Sequence, residues 1–335
     1  MKLRSSTFRG VLGTVVMLCG LPTHAGVYKC LDTQQKVFYQ DKPCAELKTA
    51  RLPSHIAQLG NSSENRQFLW KATAPESKGE AYLLGSLHFG TKDMYPLPPK
   101  IMEAFNAADV LVVETNIDDP QEAESLKKLT MEGLYPEGAS LEDHVKPGTW
   151  SRLLASGKAL DIPEATLRQM KPWLVSLTLA QQALTKTGVD PSMGIDKAFV
   201  KDASTKKPII QLESAAQQLK LLQNLSDLEQ EQWLLQSIQD ADKAAERYQE
   251  LAAAWKKGDA EVMDLIVHRS FDSSPPSAKL FKMLFTDRNI AMANKIEEMT
   301  ADGRKYFFVV GAGHLGGDQG IVKLLETKGF RIEQP

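Results

Sequence analysis

Tyr306-Phe307-Phe308-Val309-Val310-Gly311-Ala312-Gly313-His314 is an apolar run that ends in a glycine-rich step and a histidine. A run this short, rich in β-branched and aromatic residues, reads as a buried strand. Far upstream, Tyr82-Leu83-Leu84-Gly85-Ser86-Leu87-His88 repeats the arrangement, with a glycine again followed three residues later by a histidine. Both imidazoles are expected where a buried strand gives way to a glycine-permitted turn, and two histidines presented this way can share one site. Either one alone reads equally well as a satisfied loop or core residue. The repetition favours the shared site.

Working outward, strand-type runs are expected at 81–87, 110–113, 209–212, 306–310 and 330–332, in a domain that begins near Phe68-Leu69-Trp70-Lys71-Ala72. Between them the composition and the Pro, Asp or Ser starts predict helices at 98–107, 120–132, 163–186, 195–203, 215–222, 227–256, 276–299 and 320–327. Pro172 breaks or begins a helix inside its segment. Few strands alternating with many helices predict an α/β domain, a central sheet of few strands with large helical insertions forming a cap. Trp173, Trp233, Phe281, Met283 and Phe285 read as core or cap-packing groups.

Four of these strands hand an ionisable side chain to their carboxyl ends: His88, Glu114, Glu213 and His314. In open α/β sheets that edge is where ligands bind. Two imidazoles and two carboxylates there suit the first shell of a divalent transition metal, or an acid/base cluster without one. No H-E-x-x-H spacing is present, so only the fold can gather such ligands. Plainer readings stand beside these. Glu114, before Thr115 and Asn116, can simply end a strand at the surface. Glu213, before Ser214, suits the first turn of a helix. Arg288 and Asn289 read as an exposed helical pair, and Asp196 in Gly194-Ile195-Asp196-Lys197 as a helix cap. His55, His144 and His268 lie in a linker, a polar loop and a helix end, and none reads as a ligand.

The N-terminal residues read differently. Lys2, Arg4 and Arg9 precede an apolar stretch from Val11 to Leu21, and Thr23-His24-Ala25 offers small residues to a signal peptidase. Residues 1–25 are therefore expected to be a secretory signal peptide, and the protein periplasmic or secreted. Loss of those three basic residues moves the formal charge from −2 to −5, and nothing in the composition suggests nucleic-acid binding. No internal run is long enough to span a bilayer. Cys30 and Cys44, an even pair in an oxidising compartment, are expected to form a disulfide that staples a small β-hairpin domain at 26–50. Closing such a loop contributes about 3 kcal/mol in the chain-entropy picture. Residues 51–66, with Pro53, Gly60 and Asn61, read as a linker to the main domain at 67–335. The hairpin resembles a small N-terminal domain of unknown function common in secreted proteins of Gram-negative bacteria.

The chain from about Leu69 onward resembles the TraB/GumN family, which includes the pheromone-shutdown proteins and is related to the Tiki metalloproteases. A more distant likeness extends to erythromycin esterase and ChaN-type proteins. The residues that carry it are Leu84-Gly85-Ser86-Leu87-His88, Val112-Val113-Glu114-Thr115, Gly194-Ile195-Asp196, Gln211-Leu212-Glu213-Ser214 with Gln217, Asp287-Arg288-Asn289, and Val309 to Leu315 with Gly320. Ser214 stands where the family usually has Thr. The resemblance implies that His88, Glu114, Glu213, Arg288 and His314 belong to one site. It further implies a hydrolase acting on a peptide or small-molecule substrate, in the first place a peptidase. In it His88 and His314 would hold a divalent metal (Mn, Co or Zn), and Glu114, Glu213 and Arg288 would serve catalysis. Two rivals remain: a metal-independent His/Glu hydrolase of the erythromycin-esterase type, and a non-catalytic protein that sequesters a peptide or small ligand.

Overall fold

The computed structural model describes residues 66–271 and 275–335 and, ahead of them, strands β1 (Tyr28–Leu31) and β2 (Val37–Gln40). These two strands pair antiparallel, Cys30 opposite Phe38. The expected signal peptide 1–25, Cys44 with its expected bond to Cys30, and the linker as far as residue 65 lie outside the described residues.

Six strands form the main sheet: β3 (Leu69–Thr73), β4 (Glu80–Ser86), β5 (Val110–Val113), β6 (Ile209–Gln211), β7 (Lys305–Gly311) and β8 (Arg331–Glu333). Their order is β6-β5-β7-β4-β3-β8. β6, β5, β7 and β4 run parallel, whereas β3 runs antiparallel to both β4 and β8. The apolar run at 306–311 is buried at every residue, as expected of a central parallel strand covered on both faces. β6 is an edge strand, and Ile210 and Gln211 are exposed.

The fold is mixed α/β, with helices in most of the expected places; one long segment divides at Pro172 as expected, and two others divide as well. The 163–186 segment becomes Glu164–Gln169 and Pro172–Lys186, because Pro172 fits the first turn of a helix but not its interior. The 227–256 segment splits into Asp227–Ala241 and Ala244–Lys256. The 276–299 segment becomes Pro275–Phe281, a π-helical turn at Lys282–Thr286, and Asp287–Thr300. A helix at Pro147–Ala159 is absent from the sequence expectations; Gly148, Ser151, Ser156 and Gly157 are weak helix formers, and packing overrides them. Leu167 approaches Gly157 so closely that a Cβ there would lie 2.6 Å from its side chain. Among the described residues, no helix is long and apolar enough to cross a membrane.

Two hydrophobic cores result. One surrounds the sheet and includes Phe105, Phe199 and Phe307, whose ring centroids lie 5.0 to 5.5 Å apart. The other is built by the helices and buries Trp173, Trp233 and Phe285, as expected of core or cap-packing groups, together with Trp150. Burial of a large apolar side chain contributes about 1.5–3 kcal/mol. Polar residues sit where the chain passes from one core to the other. His88 lies between Leu87 of the sheet core and Phe89 of the helical core, and Glu213 between Leu212 and Ala215. Arg288 lies between Phe285 and Met292 in the same way. The seam between the cores collects ionisable groups.

Candidate functional site

The parallel strands bring the two histidines together. His88 follows β4 by two residues, and His314 ends the 3-10 turn Ala312–His314 that follows β7, the strand paired with β4. A Cβ placed on Gly311 would lie 3.3 Å from His314 Cδ2, 3.4 Å from Glu114 Oε2 and 3.6 Å from His88 Nε2. Two imidazoles and a carboxylate thus surround one small space. The glycines achieve this differently from the turn expected of them, since none of Gly85, Gly311 and Gly313 has a positive φ. They permit close approach instead. A Cβ on Gly85 would collide with the Phe68 ring at 2.3 Å, and the bare backbone at Gly311 leaves room among the three polar groups.

Glu114 is buried and heavily bonded. Its Oε1 accepts from Arg288 Nη2 and from Gln218 Nε2, the latter at 2.9 Å, and its Oε2 accepts from the Gly311 N–H at 2.9 Å. Burial opposes its ionisation. The Arg288 charge, the nearby imidazoles and the Gly311 N–H together outweigh burial and hold the carboxyl well below the usual carboxylate range. Arg288, 5% exposed, is buried as well, so the expectation of an exposed helical pair fails. Its Nε donates to Glu213 Oε2 at 2.8 Å and its Nη1 to the Leu284 carbonyl at 3.0 Å, inside the π-helical turn. Burial disfavours the guanidinium charge, but Glu114 and Glu213 together raise its pKa above the ordinary value. Glu213 is half-buried and does not cap the next helix; Ser214 does, in a capping box with Gln217.

His314 is 2% exposed, and its ring centroid lies 5.2 Å from that of Phe285. Its Nδ1 is 2.6 Å from Asn289 Oδ1, and Asn289 Nδ2 donates to the Gln319 carbonyl at 2.8 Å. A carbonyl only accepts, which fixes the amide orientation and makes Asn289 Oδ1 the acceptor. The proton of a neutral His314 therefore sits on Nδ1, and its unprotonated Nε2 lies 4.0 Å from Glu114 Oε2. Burial, reinforced by Arg288, pushes the pKa of His314 down to about 3, so the ring is neutral.

His88 keeps 10% of its side chain exposed, more than His314 does. Its Nδ1 lies 3.5 Å from Asp196 Oδ2. Burial works against a charged ring, yet Asp196, with Glu114 behind it, raises the His88 pKa above the ordinary imidazole value. Asp196 does not cap its helix: the cap position of Ile195–Ala203 is Gly194, with no side-chain cap bond. The capping expectation is thereby corrected.

His88, Glu114, Glu213, Arg288 and His314 all lie in this one cluster. Gln218, Asn289 and Asp196 brace them, roles absent from the sequence expectations. Asn289 and Asp196 stand inside the quoted motifs, which is a weak signal; Gln218 carries none. His144 stacks on Tyr135 with centroids 4.5 Å apart, and His268 stacks on Phe281 at 4.3 Å, neither joining the cluster.

The donors suit a transition metal in one respect: each imidazole has an oxygen beside Nδ1, which leaves Nε2 for the shared space. Among the described residues, however, no group of three or more His, Cys, Asp and Glu side chains is gathered so as to hold a metal ion. The donors on offer are the two imidazoles, with Glu114 tied to Arg288 beside them.

Comparison with known proteins bears on the domain as a whole. The profile of the TraB/PrgY/gumN family matches residues 68–334. The chain is 25% identical over 274 residues to an uncharacterized protein, YbaP, of Shigella flexneri and likewise to YbaP of Escherichia coli (strain K12), alignments that cover 81% of this chain and 97% of each relative. An uncharacterized protein of Treponema pallidum (strain Nichols) is 25% identical over 187 residues, 53% of this chain and 51% of its own length. No solved structure matches the chain significantly.

Proposed function

We propose that this chain, which belongs to the TraB/PrgY/gumN family, is a hydrolase that activates water between His88, His314 and Glu114, with a peptide bond as its target. One observation carries the reading. The unprotonated Nε2 of His314 lies 4.0 Å from the ionised Oε2 of Glu114, and neither atom brings a proton to the gap. Two acceptors that face each other across this gap suit a cation, or a water that donates to both.

A divalent metal, Mn, Co or Zn, is the occupant that best suits the pair of imidazoles; held by His88 and His314, it would lower the pKa of a bound water toward neutrality. The chain's own groups have defined parts. Glu114 Oε2 accepts the proton that the water gives up, and the Gly311 N–H keeps that oxygen in place. Asn289 holds the His314 ring in its tautomer. Arg288 has an acceptor at each of its three nitrogens, so in this reading it fixes Glu114 against Glu213 instead of reaching the substrate.

A second reading is favoured by the lack of a three-donor group among the described residues. In it, His314 and Glu114 activate water directly, without a metal. Metal content measured alongside peptidase activity separates the two. The metal reading expects cleavage of a peptide mixture that stops on chelation and returns with Mn, Co or Zn. An active protein free of metal would contradict it. We further take the place of action to be the periplasm or the cell exterior, from the basic and apolar segment at 1–25.

A further inference from the structure

The turn that carries Asp196 is laced to the His88 loop from several sides. Gly90 and Asp190 exchange backbone bonds of 3.1 and 3.0 Å, and the Ile195 N–H donates to the Leu87 carbonyl at 3.0 Å. The Tyr95 hydroxyl donates to the Met193 carbonyl at 2.8 Å. At Gly194 a Cβ would stand 2.4 Å from the His88 carbonyl oxygen and 2.9 Å from Asp196 Oδ1, so a side chain there would force the turn and the loop apart. All this holds a carboxylate that caps no helix 3.5 Å from His88 Nδ1. Asp196 Oδ1 and His88 Nδ1 are also both buried without a hydrogen-bond partner. Groups left so are costly, and a movement of about half an ångström at the Nδ1–Oδ2 contact gives His88 Nδ1 its hydrogen-bond partner.

We propose that Asp196 is the positioning residue of His88: its carboxylate accepts the Nδ1 proton, fixes the ring and leaves Nε2 unprotonated beside Glu114 and His314. The purpose of this arrangement rests on the hydrolase reading; its geometry does not. Both histidines are then oriented through Nδ1, His314 by a neutral amide oxygen and His88 by a carboxylate.

Long-range proton–nitrogen correlation on the full chain with 15N-labelled histidine, at mildly alkaline pH, tests this. The His88 signal is assigned by its loss in His88→Gln. In the wild type His88 is expected as the Nδ1–H tautomer. Asp196→Ala is expected to move the proton to Nε2 or mix the tautomers, and Asp196→Asn, whose amide oxygen still accepts, to keep the wild-type pattern. Zinc affinity is expected to fall about 10- to 100-fold in Asp196→Ala. An Nε2–H tautomer in the wild type overturns the proposal, and so does an Asp196→Ala spectrum identical to it. Should Asp196→Ala fail to fold, the wild-type tautomer decides alone. A wild type that ignores zinc while His88 shows the Nδ1–H tautomer sinks the metal reading and leaves the Asp196 assignment standing.

Discussion

His314 and Asn289 are joined by a 2.6 Å hydrogen bond whose direction is set from the far side, where Asn289 Nδ2 donates to the Gln319 carbonyl. The bond makes a buried histidine present an unprotonated nitrogen to the site. Asn289→Leu removes the acceptor at Nδ1 and leaves the ring free to carry its proton on Nε2. Hydrolytic activity is expected to fall about 10- to 100-fold, with a stability loss of about 1–2 kcal/mol. Peptidase assays and urea unfolding of the same variant check both; unchanged activity would show that the tautomer does not matter.

Arg288 is the counter-ion of two carboxylates, one of them as buried as itself. Arg288→Met leaves Glu114 charged and unpaired in the seam, and a loss of about 3–5 kcal/mol is expected by chemical denaturation. Arg288→Lys should recover little, because one ammonium cannot reproduce the planar set of bonds to Glu114, Glu213 and the Leu284 carbonyl.

Two glycine variants should part company. Gly85→Ala drives a methyl into the Phe68 ring and the Ala312 backbone, at 2.3 and 3.0 Å, and is expected to destabilise by about 1–3 kcal/mol. Gly311→Ala meets only the edges of His314, Glu114 and His88, at 3.3 to 3.6 Å, with an ordinary φ of −51°. It should fold with less than about 1 kcal/mol lost yet fill the space where water must stand. Thermal unfolding and activity measured on both variants distinguish a packing glycine from one that keeps the site open.

Stability is expected to fall as the medium is acidified. Burial holds the His314 pKa at about 3 against an ordinary 6.5, so below 6.5 the unfolded chain binds a proton that the folded one refuses. Stability that is whole above 6.5 is lost down to about 3, at up to about 1.4 kcal/mol per pH unit. Glu114, whose burial is outweighed by Arg288, the two imidazoles and the Gly311 N–H together, is lowered from 4.5 and adds a loss in the same direction as pH drops below that value. His88 is raised and works oppositely, its contribution whole below 6.5 and fading as pH climbs through its folded value. Urea unfolding across this range should show a slope that flattens in His314→Gln.

The four strand ends are legible in the sequence because an apolar run of a length suited to burial announces where it stops. The parallel order then aligns His88, Glu114, Glu213 and His314 on one edge. What braces them is not legible. Gln218 sits on a helix face with no mark of its own, and Asp196 looks like a cap because its helix start supplies the usual context for one. The glycine steps read as turns, since a sequence shows that Cβ is missing but not whether conformation or contact requires it. Of the breaks in the long helical segments, the one at Pro172 is legible because a proline suits only a helix start, while those after Ala241 and at Lys282–Thr286 carry no such mark.

A crystal soaked in manganese and measured at its anomalous edge tests most directly whether His88 and His314 serve one centre. The expected result is a peak bonded to both Nε2 atoms, with Glu114 Oε2 beside it. No peak there at full soak, or a peak on other residues with this cluster empty, would contradict a shared metal-binding centre.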